Sequence, residues 1–108
     1  MVVKEKTVLK EDLGDGVSRK ILAHDGNMMM VKIYFQKGAV GYIHTHPHEQ
    51  VSYILKGSFE LNLDGEKTVL KEGDTFYVPP ELPHGVTALE EAEILDVFSP
   101  QREDFLTK

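Results

Sequence analysis

The sequence predicts an all-β fold, an antiparallel sandwich or closed barrel, on three observations. Apolar residues recur with a period of two rather than 3.6. The runs that carry this period are short, and Gly, Pro, Asn or Asp residues bound nearly all of them. The chain has 108 residues, of which 41 % are hydrophobic, which fits one domain spanning residues 1–108 with a core of modest size.

Val17 to His24 is expected as a strand, closed by Asp25-Gly26-Asn27, with Met28 to Phe35 as its antiparallel partner. Gln36-Lys37-Gly38 turns the chain into a short extended segment, Tyr42 to His46, which Pro47 stops. Gln50 to Leu55 follows, ended by Lys56-Gly57. Ser58 to Leu63 and Glu66 to Leu70 flank Asp64-Gly65, a pair that marks a type I′ hairpin because that turn needs positive φ twice. Thr75 to Val78 runs into Pro79-Pro80, which bars further ladder pairing, and Val86 to Leu89 and Ile94 to Phe98 complete the set. Helix is expected only near the C-terminus, as one turn over Arg102 to Leu106. The Met28-Met29-Met30 run is core filler. Edge strands of so small a barrel need cover, which points to a homodimer.

Composition excludes several classes. There is no cysteine, so neither a disulfide nor a thiolate metal site is available. The net charge is −6 and the Lys and Arg residues form no basic stripe, which disfavours nucleic acid as a partner. No apolar run is long enough for a signal-peptide core or a membrane span, so the expected location is cytoplasmic. An anionic substrate gains nothing from the overall field, so its binding charge must be local.

Four of the five histidines fall in two places, His44-Thr45-His46-Pro47-His48 and His84. On an extended strand His44 and His46 point to one face, close enough to share an ion. The next strand, expected to return beside them, offers Glu49 or Gln50 as a third donor, and His84 closes the site from the far side of the barrel. A carboxylate from Glu49 would suit non-haem iron, whereas the neutral amide of Gln50 leaves the ion its full charge and makes it a strong Lewis acid. Toward the C-terminus, Asp96 and Phe98 share a strand face with Ile94, which predicts a carboxylate inside an apolar cavity. Pro100 ends that strand, and Arg102 is placed to fold over the mouth, either as a bidentate anchor for an acid substrate or as an ion-pair partner of Asp96 that pins the C-terminus.

Two segments carry a family resemblance. Gly38-x5-His44-x-His46-x3-Gln50-x6-Gly57 resembles the first cupin motif and Gly73-x5-Pro79-x4-His84 the second. The departures are Gln50 where the family usually has Glu, Glu81 at a position commonly Gly, and Ala88 in place of a trailing Asn. The resemblance implies a double-stranded β-helix, or jelly-roll, barrel. It also implies one divalent ion (Zn, Ni, Mn, Fe or Co) held by His44, His46, Gln50 and His84. Within the cupins, HTHPHEQ, DVFSPQRED and VSRKILAHDGNMMMVKIYFQKGAV resemble the KdgF-type cupins of pectin degradation. That likeness implies an enzyme that linearises unsaturated galacturonate, with Asp96, Phe98 and Arg102 needed for activity. A metal-dependent dioxygenase and a non-enzymatic module that binds a sugar or acid are the alternative expectations.

Overall fold

The computed structural model describes residues 1–106. Among them a 3-10 turn at Glu5–Thr7 precedes ten strands: β1 Glu11–Gly14, β2 Val17–Asp25, β3 Met28–Phe35, β4 Val40–His44, β5 Glu49–Lys56, β6 Ser58–Leu63, β7 Glu66–Lys71, β8 Thr75–Val78, β9 His84–Ala88 and β10 Ala92–Ser99. One helical turn, α1 Glu103–Leu106, follows. Among the described residues every ladder is antiparallel. The strands form a six-stranded sheet in the order β1-β2-β3-β10-β5-β8 and a four-stranded sheet in the order β4-β9-β6-β7. This is the expected double-stranded β-helix, or jelly-roll, barrel, with two sheets facing one interior. None of the described helices is long and apolar enough to cross a membrane.

Alternation decides which side chains fill the interior. On β10 the residues Ala92, Ile94, Asp96 and Phe98 are buried and those between them are not. On β3 the same rule splits the methionine run: Met29 is fully buried, whereas Met28 and Met30 are exposed. Core filler is therefore correct for Met29 alone. The main apolar cluster joins Phe35, Ile54, Phe59, Leu61, Leu70, Ala88, Ala92 and Ile94 from both sheets. Phe35 and Phe59 meet edge to face at 5.0 Å. Gly57 carries the chain from one sheet to the other at φ +75, and a Cβ there would lie 2.5 Å from the Glu91 carbonyl oxygen. No larger residue fits that crossing.

Strand β1 was not expected. It has a single large apolar residue, Leu13, too few to show a period, but Asp15-Gly16 after it adopts φ 53 and 83, the same turn chemistry as Asp64-Gly65 at φ 52 and 87. Both pairs close hairpins, β1–β2 and β6–β7.

Candidate metal centre and active site

Three of the four proposed ligands converge on one point, by a route that differs from the expected one. Strand β4 ends at His44, so His46 lies beyond it, in the connection that Pro47 keeps out of the ladder. His84 sits directly opposite His44 in the β4–β9 register, on the neighbouring strand rather than across the barrel. β5 pairs with β10 and β8 and never with β4, so Gln50 enters from the facing sheet. Close approach of β4 and β9 is what brings the rings together. A Cβ at Gly85 would lie 2.8 Å from the Gly41 carbonyl oxygen. The ring centroids of His44 and His84 are 4.4 Å apart, those of His46 and His84 4.8 Å, and those of His44 and His46 5.4 Å. One ring nitrogen from each histidine lies within 4.8 Å of the others.

The tautomers follow from the backbone. His44 Nδ1 donates to the Tyr42 carbonyl at 2.8 Å, His46 Nδ1 to the His48 carbonyl at 3.1 Å, and His84 Nδ1 to the Leu82 carbonyl at 2.8 Å. A carbonyl only accepts, so in each neutral ring the proton is on Nδ1 and the lone pair on Nε2. Burial holds the His46 imidazole below its ordinary pKa, with Arg102 and His44 adding repulsion, and burial pushes His84 down to about 4. His84 Nε2 is buried and has no hydrogen-bond partner. An unsatisfied buried nitrogen beside two further imidazoles has the donor chemistry of a metal ligand set. The residues therefore fit a divalent cation.

Gln50 and Glu49 separate cleanly. Gln50 is buried, with Oε1 3.0 Å from His46 Nε2. Glu49 is exposed and accepts from the Tyr77 hydroxyl on the outer face. From Gln50 the polar chain continues inward: Gln50 Nε2 donates to Ser52 Oγ at 2.9 Å, and Ser52 Oγ donates to Asp96 Oδ1 at 2.6 Å. Burial raises the Asp96 carboxyl from 3.8 to about 6, against the opposing pull of the Ser52 hydroxyl, Arg102 and the Gln50 amide.

Arg102 is buried and does not hydrogen-bond to Asp96. Its Nε and Nη2 form a bidentate pair with Asp104 at 3.0 and 2.8 Å, and its guanidinium stacks over Phe105 at 4.2 Å and Phe98 at 5.1 Å. The alternative of an Asp96–Arg102 pin is thus replaced by an Arg102–Asp104 pair. His44, Gln50, His84, Asp96, Phe98 and Arg102 line one cavity of about 400 Å³. A larger cleft, about 600 Å³, opens beside Lys10, Asp12 and Glu93, and no histidine lines it. Two residues of the site were not singled out from the sequence, Ser52 and Asp104. The available signal was spacing: Ser52 is two residues from Gln50 on one strand face, and Asp104 is two residues from Arg102. Glu81, one departure from the cupin motif, stands where the backbone itself favours glycine. It holds φ 65, the left-handed region that favours glycine, while its N–H donates to the His46 carbonyl at 2.8 Å.

The cupin domain family matches residues 31–98. Pectin degradation protein KdgF of Dickeya dadantii is 48 % identical over 98 residues, covering 89 % of each chain. The solved structure of KdgF from Halomonas sp. superposes with a TM-score of 0.93 at 39 % identity, covering 97 % of both chains. An RmlC-like cupin from Shewanella frigidimarina gives 0.91 at 44 % identity over 97 % of this chain and 99 % of that one. Barrel, motif positions and near-complete coverage agree: the chain belongs to the cupin family, in its KdgF-type branch.

Proposed function

We propose that this protein is a metal-dependent enzyme that opens the ring of unsaturated uronates of the galacturonate type and delivers the linear, ketonised sugar acid. The observation that carries the reading is a buried carboxylate, Asp96, and a buried guanidinium, Arg102, lining the same cavity as imidazoles of the metal cluster. The likeness to KdgF supplies the substrate class. His44, His46, His84 and Gln50 would hold a divalent ion, which would supply Lewis acidity toward oxygen ligands. Arg102 binds the substrate carboxylate with the N–H groups that Asp104 leaves free. Phe98 packs on the sugar face and keeps water out. Asp96 takes the proton of the anomeric hydroxyl as the ring carbon–oxygen bond breaks. The ring oxygen leaves as an enolate, and Asp96 then returns that proton to the alkene carbon as the enolate becomes a ketone. The proton count closes and no electron leaves the substrate, so the reaction is an isomerisation.

The experiment follows loss of the unsaturated-uronate absorbance with purified protein and its Asp96→Asn variant, with an oxygen electrode in the same cell. Turnover without oxygen uptake, lost in the variant, is the expected result. Unchanged turnover removes Asp96 from the chemistry, and oxygen uptake supports the dioxygenase reading.

The proposal includes a cytoplasmic homodimer of a chain that acts as one catalytic unit. Met30, Val97, Val51 and Tyr77 form one register row across β3, β10, β5 and β8 on the outer face of the six-stranded sheet. Met30, Val51 and Tyr77 are all more than a third exposed, an apolar stripe that a second copy would cover. Sedimentation of the wild type against Val51→Glu tests it: a dimer turned to monomer is expected, and a monomeric wild type overturns it.

A further inference from the structure

Ser52 is fully buried at the junction of the metal cluster and the carboxylate. Its hydroxyl has one proton to give. That proton goes to Asp96 Oδ1 at 2.6 Å, so toward Gln50 the serine offers only lone pairs. Gln50 must then face Ser52 with its NH₂ group, at 2.9 Å, and its Oε1 is left pointing at His46 Nε2. His46 carries its ring proton on Nδ1, donated to the His48 carbonyl, so no proton lies between Nε2 and Oε1. Two lone pairs facing one another at 3.0 Å suit two atoms that share a cation.

We propose that Ser52 is a positioning residue that fixes which end of the Gln50 amide faces the metal, with the direction set by Asp96 as the terminal acceptor. The proposal rests on the reading of Gln50 as a ligand. Without the serine the amide keeps only the weaker pull of Asp96 on its NH₂ group, and it presents NH₂, which cannot ligate, to the metal more often. The same direction rule accounts for Gln at a position where the cupin motif usually has Glu. A carboxylate there would be a second acceptor competing for the one serine proton. It would also put two buried anions two hydrogen bonds apart.

The test measures the Co²⁺ dissociation constant by competition with a chromophoric chelator, alongside the visible absorption of the bound ion. Gln50→Ala comes first. If it leaves the affinity unchanged, the ligand reading fails and the role of Ser52 with it. If it weakens binding, Ser52→Ala is expected to weaken Co²⁺ binding about 10- to 100-fold and to alter the Co²⁺ spectrum, the range for losing an outer-shell partner. In a Gln50→Glu background, whose two carboxylate oxygens need no orientation, Ser52→Ala is expected to add no further loss. A Ser52→Ala affinity within about twofold of wild type, or an equal loss in both backgrounds, overturns the proposal. Ser52→Thr and Ser52→Val provide an isosteric pair that differs in the hydroxyl alone. The threonine variant should bind Co²⁺ more tightly than the valine variant by the same 10- to 100-fold, and equal affinities overturn the proposal.

Discussion

On β10 the inward residues run Ala92, Ile94, Asp96 and Phe98, and on the antiparallel neighbour β5 they run Gln50, Ser52 and Ile54. The same two strands line both ends of the barrel interior. At one end Ile54 and Ile94 join Phe35, Phe59 and Leu61 in an apolar cluster, in which Phe35 and Phe59 meet edge to face and Phe35 and Ile94 form part of the apolar wall of the cavity. At the other, Gln50, Ser52 and Asp96 are equally buried yet face imidazoles, a guanidinium and an open cavity. Burial stabilises at the first end and works against stability at the second, where polar groups lose water. Stability and chemistry are therefore separated along the barrel axis, and the packed end holds the backbone on which the polar end is built.

The sharpest way to break this division is to remove a ligand. His84→Ala is expected to abolish stoichiometric metal in elemental analysis and to lower kcat/KM by on the order of 10³-fold, beyond the effect of an outer-shell partner. The chelated variant should melt within a few degrees of chelated wild type, because loss of the Nδ1–Leu82 hydrogen bond is offset by removal of an unsatisfied buried nitrogen. A large drop in that melting temperature would show that the polar end also carries stability. At the packed end, Phe59→Ala should cost about 3–5 kcal/mol in denaturant unfolding while the folded fraction keeps its metal affinity.

Asp96→Asn sharpens the comparison through pH. The folded protein holds the Asp96 proton more tightly than the unfolded chain, so this group's stabilising contribution is complete at pH below about 4 and is lost as pH rises through about 6. The gap between 3.8 and about 6 corresponds to about 3 kcal/mol. The chelated Asn variant should therefore be more stable than chelated wild type by about that amount at pH 8, match it near pH 4, and be inactive with metal restored. Equal stability at both pH values would show that the carboxylate is solvated. The smallest effect is expected from Glu49→Gln, which touches only the outer face: stability within about 0.5 kcal/mol of wild type. Metal affinity should not change, and a clear loss would place Glu49 in the ligand set.

Alternation and turn chemistry carried most of the fold. Met28–Phe35, Ser58–Leu63 and Thr75–Val78 are strands over the expected residues, because each has enough alternating positions between firm turn signals. β1 escaped because a strand of four residues with one large apolar side chain shows no period. The histidines pointed to a shared ion, but which sheet carries Gln50 depends on strand order. Strand order is fixed by long-range pairing that spacing does not encode. Ser52 escaped for a related reason. A serine in an alternating strand reads as its solvent face until the inward parity of Gln50 and Ile54 is settled by burial.

Each imidazole takes its orientation from a carbonyl only two residues away, at Tyr42, His48 and Leu82. The choice of ring tautomer is thus made locally, inside three tripeptides, before any distant strand arrives. Such pieces are portable: a designer who transplants residues 42–44, 46–48 and 82–84 onto another twisted β-scaffold carries the correct nitrogen toward the centre with them. Only the separation of the three backbones has then to be rebuilt, which is a simpler engineering problem than repacking an entire ligand sphere.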